Sequence, residues 1–252
     1  MAAKERVAVI KQTLERDRQV SVSELSRSLG VTEETIRRDL EKLEGEGFLK
    51  RTYGGAILHA PAVSVDTDFY QRSIKRTKEK RLVASHALPL LKDTAAIAAD
   101  SSTTVMEAVK LLRDRVGLSV LTYSAAILNE MASANATIVS TGGVLDKSTL
   151  SFTGQAAKDA LRRYHVDIAL FSCRGLAIDG GIFDSREGDA DIKRAMFERA
   201  SKLALLVDHS KFDSTSFVRL ADFDRIDYIV TDREPSAAWF DLCERNGIKL
   251  LF

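Results

Sequence analysis

The reading of the N-terminal third turns on one stretch: Val20-Ser21-Val22-Ser23-Glu24-Leu25-Ser26-Arg27-Ser28-Leu29-Gly30-Val31-Thr32-Glu33-Glu34-Thr35-Ile36-Arg37-Arg38-Asp39-Leu40. Ser21 stands where a hydroxyl caps a helix, and Glu24 follows at the spacing of a capping box. Val20 and Leu25 occupy the positions of a hydrophobic staple. The predicted helix ends at Gly30, which accepts the left-handed conformation of a C-cap. Thr32 then caps a second helix, with Val31 and Ile36 as its staple. Ile36, Leu40 and Leu43 mark the buried stripe, while Glu33, Glu34, Arg37, Arg38 and Glu41 face outward. Two helices joined by a short glycine turn describe a helix-turn-helix.

Outward from this pair the pattern continues. Upstream, Val7, Ile10 and Leu14 fall at helical spacing. Downstream, the run Phe48-Leu49-Lys50-Arg51-Thr52-Tyr53-Gly54-Gly55-Ala56-Ile57-Leu58 reads as strand, glycine turn, strand. The expectation is an α+β winged helix-turn-helix over residues 1–59 whose third helix enters the major groove of double-stranded DNA. Thr32, Glu33 and Thr35 lie at the N-terminus of that helix, the end that usually meets base edges. Arg37 and Arg38, about 100° apart on the helix, are placed to reach a base edge and a phosphate, tasks that suit the planar guanidinium. Arg51 and Tyr53 on the wing, with Ser21 at the start of the second helix, complete the candidate DNA-binding set.

Bulk charge does not contribute to this expectation. The 252 residues carry 37 Lys/Arg and 36 Asp/Glu, a net charge of +1. Residues 1–59 hold 11 basic and 10 acidic side chains, again +1. A hydrophobic fraction of 45% places the chain among ordinary globular proteins. Two cysteines, Cys173 and Cys243, and four scattered histidines offer neither a disulfide framework nor a metal-ligand spacing. Neither a metal nor a cofactor is expected. The N-terminus lacks a secretory core and no apolar run is long enough to span a bilayer, so a cytoplasmic protein without a membrane partner is expected.

Residues 60–77 read as a linker. Six Lys/Arg against one acid, Glu79, crowd residues 72–81. This basic stripe fits either added DNA-phosphate contacts or a solvated hinge leading into a helix. From residue 78 to 252 the pattern alternates. Helices are predicted over 80–91, 104–112, 125–132, 155–164, 190–201 and 237–246. Strands are predicted over 94–99, 118–122, 137–140, 168–171, 202–207, 226–230 and 249–252. Such alternation argues for an α/β domain built on a parallel sheet.

Open parallel sheets bind ligands at the carboxyl ends of their strands. Small, polar and basic residues recur at those exits here. The first exit, Asp100-Ser101-Ser102-Thr103-Thr104, leads into a helix N-terminus, which favours an anion through its free N–H groups and dipole. Further exits carry Tyr123 and Ser124, Gly142 and Gly143, Arg174 and Gly175, and Lys211. Arg174 and Lys211 suit a phosphate, and Asp100 suits sugar hydroxyls. A Ser/Thr run after a strand also serves as a plain helix cap. Cys173 reads as a buried small hydrophobe, His209 as a packing residue and Lys193 as a solvated helix charge.

The block Thr35-Ile36-Arg37-Arg38-Asp39-Leu40, with Leu43-Glu44, Gly47 and Arg51-Thr52-Tyr53-Gly54-Gly55-Ala56, resembles the DNA-binding signature of the DeoR family of bacterial transcriptional regulators. Asp100–Thr104, Thr122–Ser124, Thr141–Gly143, Thr153-Gly154, Arg174-Gly175-Leu176, Lys193–Met196 and Asp208–Lys211 resemble the landmarks of the family's sensor domain, similar in fold to ribose-5-phosphate isomerase. The resemblance spans nearly the whole chain. It implies a repressor of a sugar-metabolism operon, released from its operator by a phosphorylated sugar, with Lys193 joining the effector set. It also implies a homo-dimer or homo-tetramer, since two half-sites need two DNA-binding modules. Two positions depart from the family pattern. Ser102 replaces the usual glycine, a strained choice if φ there is positive, and Tyr123 replaces a common asparagine. An activator differs from a repressor only in operator position. An isomerase is the rival of another class, with Asp184 or Glu187 as its base, but the paired-acid Asp-Gly-Ala-Asp loop of the isomerases is absent. No enzymatic activity is expected.

Overall fold

A computed structural model describes residues 3–17, 19–45, 49–52, 54–58 and 68–252. Two compact units divide the chain, Met1–Ser64 and Val65–Phe252.

The first unit holds α1 (Ala3–Asp17), β1 (Gln19–Ser21), α2 (Val22–Leu29), α3 (Glu33–Gly45), β2 (Leu49–Thr52) and β3 (Gly55–Leu58). Ile10 and Leu14 of α1, Val22 and Leu25 of α2, and Ile36, Leu40 and Leu43 of α3 close on one core with Leu49 and Ala56 of the wing. Gly30 ends α2 in the left-handed conformation and donates its N–H to Ser26. Thr32 caps α3, its Oγ1 accepting the Thr35 N–H at 3.3 Å.

Two features differ from expectation. Ser21 occupies the N-cap position of α2 but its side chain caps nothing. Its hydroxyl pairs instead with that of Ser23 at 2.8 Å, so the capping box does not form. The second difference is a strand at residues 19–21, paired antiparallel with β3 in the sheet order β1-β3-β2. That pairing requires Gly55, where a Cβ would stand 2.1 Å from the Val20 carbonyl oxygen. Gly47, Phe48 and Tyr53 lie outside the described residues.

The second unit opens with α4 (Asp68–Ile74) and α5 (Thr77–Leu91). α4 lies inside the stretch expected to be a linker. Its Phe69 is buried in the core of the second unit, which anchors the helix there. The chain continues through β4 (Ala96–Ala99), α6 (Thr103–Lys110), β5 (Ser119–Thr122), α7 (Ala125–Glu130), β6 (Thr137–Ser140), β7 (Val144–Asp146), β8 (Ser151–Thr153), α8 (Gln155–Arg162) and β9 (Val166–Phe171). Then follow β10 (Gly175–Ala177), β11 (Gly181–Asp184), α9 (Glu187–Phe197), β12 (Ala200–Leu206), β13 (Val218–Ala221), β14 (Tyr228–Val230), α10 (Ala237–Asn246) and β15 (Lys249–Leu251).

Seven strands form one parallel sheet in the order β15-β14-β12-β9-β4-β5-β6. Side chains alternate across it. In β9, Ile168 and Leu170 enter one core while Ala169 and Phe171 enter the other. Both faces are therefore covered, as a parallel sheet requires. Connections run outward from β4 to one edge through β5 and β6, then return to β9 and run to the other edge. The β4/β9 boundary is thus the point where strand order reverses, the place where such sheets leave a crevice. The hairpin β7-β8 and the antiparallel sheet β10-β11-β13 were absent from the expected pattern. Their strands are three or four residues long, too short to show a period.

Candidate functional site

On the first unit, the candidate DNA-reading surface is the outer face of α3. Thr32, Glu33, Thr35, Arg37 and Arg38 all fall on its first turns. Arg37 pairs with Glu33 at 2.6 Å, and Arg38 approaches Glu34 at 3.4 Å. These are exposed pairs along one helix, worth little each, so the guanidinia can exchange carboxylates for phosphates or guanine edges. Arg51 on β2 is exposed, with its guanidinium 4.0 Å from Glu41 and its N–H donated to Glu44 at 2.8 Å. Tyr53 lies outside the described residues, and Ser21 is placed by β1 at the start of α2.

The next residue on α3, Asp39, faces inward. It accepts the Arg6 guanidinium from α1 at 2.5 and 3.2 Å, and both side chains are nearly buried. This fork ties α3 to α1 beside the buried stripe of Ile36, Leu40 and Leu43, which turns Arg37 and Arg38 outward. Sequence spacing offered no sign of the Asp39 partner 33 residues upstream.

On the second unit, a cavity of about 280 Å³ opens at the β4/β9 boundary. Ser101, Ser102, Thr103, Thr104, Arg174, Lys193 and Lys211 of the expected effector set line it. Ser102 has φ −78° and ψ 148°, so serine is unstrained there. Its Oγ accepts the Val105 N–H at 3.2 Å and caps α6. The N–H groups of Thr103 and Thr104 have no partner among the described residues, at the positive end of the helix dipole.

Asp100 is a correction. It was expected to meet sugar hydroxyls, yet it is fully buried beneath the cavity. One carboxylate oxygen accepts the Ser102 N–H at 2.8 Å, and the other accepts the Ser172 N–H at 2.9 Å. Asp100 therefore shapes the two strand exits. Lys193, expected in the effector set, lines the cavity but is only 5% exposed, which excludes the alternative of a solvated helix charge. Its ammonium donates to the Ser172 carbonyl and the Asp184 carboxylate, each at 2.6 Å, and stands 3.2 Å from Asp100. Burial alone would lower the Lys193 pKa, but Asp184 and Asp100 outweigh it and hold it above its ordinary value.

Tyr123, Ser124, Gly142, Gly143 and Gly175 are absent from the cavity wall. Tyr123 is buried in the core, and its hydroxyl has no hydrogen-bond partner among the described residues. Burial, with Asp100 next, pushes its pKa up. Ser124 caps α7 through the Ile127 N–H at 3.2 Å. Gly142 and Gly143 both have positive φ. Gly175 serves a close approach, because a Cβ there would stand 2.5 Å from the Ser214 carbonyl oxygen.

Other wall residues were not anticipated as ligand groups. Gln71, Arg72, Lys75, Arg76 and Lys80 come from α4 and α5, and Asp189 from α9. Asp208 and Ser210 lie beside Lys211. The basic stripe at 72–81 was the available signal, but it fitted a hinge equally well. Lys80 is buried, donating to the Arg72 carbonyl and, at 2.6 Å, to the Lys75 carbonyl. Burial lowers its pKa to about 8. His209 donates its backbone N–H to Asp232 at 2.6 Å, and its Nδ1 stands 2.7 Å from the same carboxylate. Cys173 is buried and its thiol is pushed up to about 12, far from a reactive thiolate.

Two family models match the chain. Residues 6–61 match a DeoR-like helix-turn-helix domain, and residues 75–233 match a DeoR C terminal sensor domain. Among curated proteins, the HTH-type transcriptional repressor GlcR of Bacillus subtilis (strain 168) is 35% identical over 253 residues, covering 100% of this chain and 96% of that one. The L-fucose operon activator of Haemophilus influenzae is 34% identical over 241 residues, covering 95% and 96%. Among solved structures, a D-ribose-5-phosphate isomerase in complex with phospho-erythronic acid aligns with a TM-score of 0.41 at 16% identity, covering 54% of each chain.

Proposed function

Because the chain belongs to the DeoR family of transcriptional regulators, we propose that it represses a sugar-metabolism operon and leaves its operator when a phosphorylated sugar enters the β4/β9 cavity. The observation that carries this reading is the wall of that cavity. The N-terminus of α6, with its hydroxyls, converges there with Lys75, Arg76, Lys80, Arg174 and Lys211. Paired amides and cations of this kind hold a phosphate dianion. The volume suits a molecule the size of a sugar phosphate, near the lower end of ordinary ligand pockets.

DNA binding falls to α3 and the wing, with Arg37 and Arg38 as the reading pair and Arg51 on the backbone. Two half-sites call for two copies of this unit, hence a homo-dimer or homo-tetramer. The effector acts by binding the DNA-released arrangement more tightly than the DNA-bound one. The similar proteins include both a repressor and an activator; a transcription assay with and without effector separates the two, and repression relieved by effector is expected.

Neither base foreseen for the isomerase alternative is poised. Asp184 is ion-paired to Lys193 at 2.6 Å, and Glu187 is exposed and absent from the cavity wall. The decisive experiment is a thermal-shift panel of phosphorylated sugars against the same sugars without phosphate. A ligand at 100 times its Kd adds about 2.7 kcal/mol of stability. At least one phosphorylated sugar is expected to raise the melting temperature and to dissociate the operator complex in a gel shift. A panel in which no phosphorylated sugar does either overturns the proposal.

A further inference from the structure

The cavity wall carries three carboxylates, Asp184, Asp189 and Asp208. Two of them are satisfied by the protein. Asp184 holds the Lys193 ammonium and accepts the Ser185 N–H at 2.8 Å. Asp208 accepts the Ser210 N–H at 3.0 Å and the Ser210 hydroxyl. Asp189, on the first turn of α9, is more than nine-tenths buried yet accepts no hydrogen bond from any described residue. A deeply buried carboxylate without protein donors is costly to the fold, yet its oxygens are not sealed off, since among the described residues the Tyr123 hydroxyl is the one fully enclosed side-chain group left unpaired.

The charges around the cavity also sort into two ends. Lys80 is coupled to Lys211, Arg72 and Asp208. Asp189 is coupled instead to Lys193, Asp184, Arg186 and Asp146. Lys193 cannot serve as its partner as well, since its three donors are directed at Ser172, Asp184 and Asp100. Cationic side chains thus gather on the wall around Lys80 and Lys211, while the α9 side presents a carboxylate that accepts no hydrogen bond from a described residue.

Resting on the phosphorylated-sugar reading, we infer that Asp189 is the specificity-determining residue of the cavity. It accepts hydrogen bonds from hydroxyl or amino groups of the effector at the end remote from the phosphate. The phosphate supplies affinity at the cationic end, and Asp189 decides which carbon skeleton is tolerated. A site built to pair with a donor rejects ligands that lack it, because its own polar group is then left unpaired.

The test compares full-length wild type, Asp189→Asn, Asp189→Ser and Lys211→Ala by calorimetric titration. The probes are inorganic phosphate, glycerol 3-phosphate, and a set of pentose, hexose and amino-sugar phosphates. Wild type is expected to prefer one sugar phosphate over inorganic phosphate. Both Asp189 variants are expected to keep inorganic phosphate within about 3-fold of wild type and to lose at least about 10-fold for the preferred sugar phosphate. Lys211→Ala is expected to weaken every phosphate-bearing probe alike. Asp189→Asn is also expected to melt at a higher temperature than wild type, because it removes a buried uncompensated charge, whereas a merely structural carboxylate would give a lower one. An unchanged ratio of sugar phosphate to inorganic phosphate in both Asp189 variants overturns the inference and leaves the cavity assignment standing. Failure of every probe to bind wild type overturns both.

Discussion

The Asp100 carboxylate accepts the backbone N–H of Ser172 at 2.9 Å, and this bond ties the exit of β4 to the exit of β9, 72 residues later in the chain. Strand pairing has brought β4 and β9 together, with the Asp100 N–H donated to the Leu170 carbonyl at 3.1 Å. Beyond that point the strands part, and the side chain of Asp100 bridges the gap. Lys193 then closes the arrangement from α9 by binding the Ser172 carbonyl. The floor of the cavity is thus a network of protein groups that satisfy one another.

This network makes stability depend on acid. Burial alone would raise the Asp184 pKa, but Lys193 and the Ser185 N–H outweigh it and hold the folded value below the ordinary 3.8. The folded chain then binds fewer protons than the unfolded chain between those values, so stability from this pair is complete above pH 3.8 and drains away as pH falls below it. Asp189 has the opposite sign, since burial raises its pKa and protonation relieves it. Asp184→Asn is expected to be less stable than wild type at neutral pH and to show a shallower acid limb. Urea midpoints across pH check this, and parallel acid limbs in the two proteins would contradict it.

Ser102 acts as a cap and carries no strain. Ser102→Ala is expected to cost about 1 kcal/mol and Ser102→Gly only a few tenths. The two midpoints in urea discriminate between readings. A clear gain in stability for Ser102→Gly would mean that serine is strained after all.

Arg37 and Arg38 project from a helix held to the core by Ile36, Leu40 and Leu43 and to α1 by the Arg6–Asp39 pair. Arg37→Ala is expected to cost about 1–3 kcal/mol of operator affinity and to relax specificity at one base position. Arg38→Ala is expected to weaken all sequences alike and to lower the salt slope by about one. Both variants should keep the wild-type melting temperature and effector affinity. Gel shifts over a salt series check this, and wild-type operator affinity in Arg37→Ala would remove the assignment.

Lys211 and Thr103 lie on the cavity wall and take no part in the Asp100–Lys193 network. Lys211→Ala or Thr103→Ala is expected to leave operator binding intact while weakening sugar-phosphate affinity by about 1.5–3 kcal/mol, the worth of a hydrogen bond to a charged group. An operator-release titration reads this as a curve moved roughly 10- to 100-fold to higher ligand. A normal release curve in both variants would place the phosphate elsewhere.

Much of the architecture was legible because it rests on short-range patterns. The helices around Gly30 declare themselves through caps and a buried stripe at helical spacing. The parallel strands declare themselves as short apolar runs, each followed by small polar residues. What escaped was pairing across distance. β1 hid inside a segment that reads as a cap, because its partner Ala56 lies 36 residues downstream of Val20. Asp100 and Lys193 carry side chains suited to a ligand, and only the fold shows that they spend them on Ser102, Ser172 and Asp184. Asp189 escaped for the converse reason: it reads as an ordinary acidic residue in a first helical turn, and only its burial without donors sets it apart.

The commitment of Lys193 has a further meaning for how a ligand is received. Since its three partners are all supplied by the chain, the ordering of Ser172, Asp184 and the β4 exit is completed during folding. An incoming molecule meets a preorganised floor and forfeits little conformational freedom on that side. Discrimination between ligands then falls to residence time more than to rate of capture, because the cationic end attracts any phosphate ester while the fit against α9 determines how long it stays.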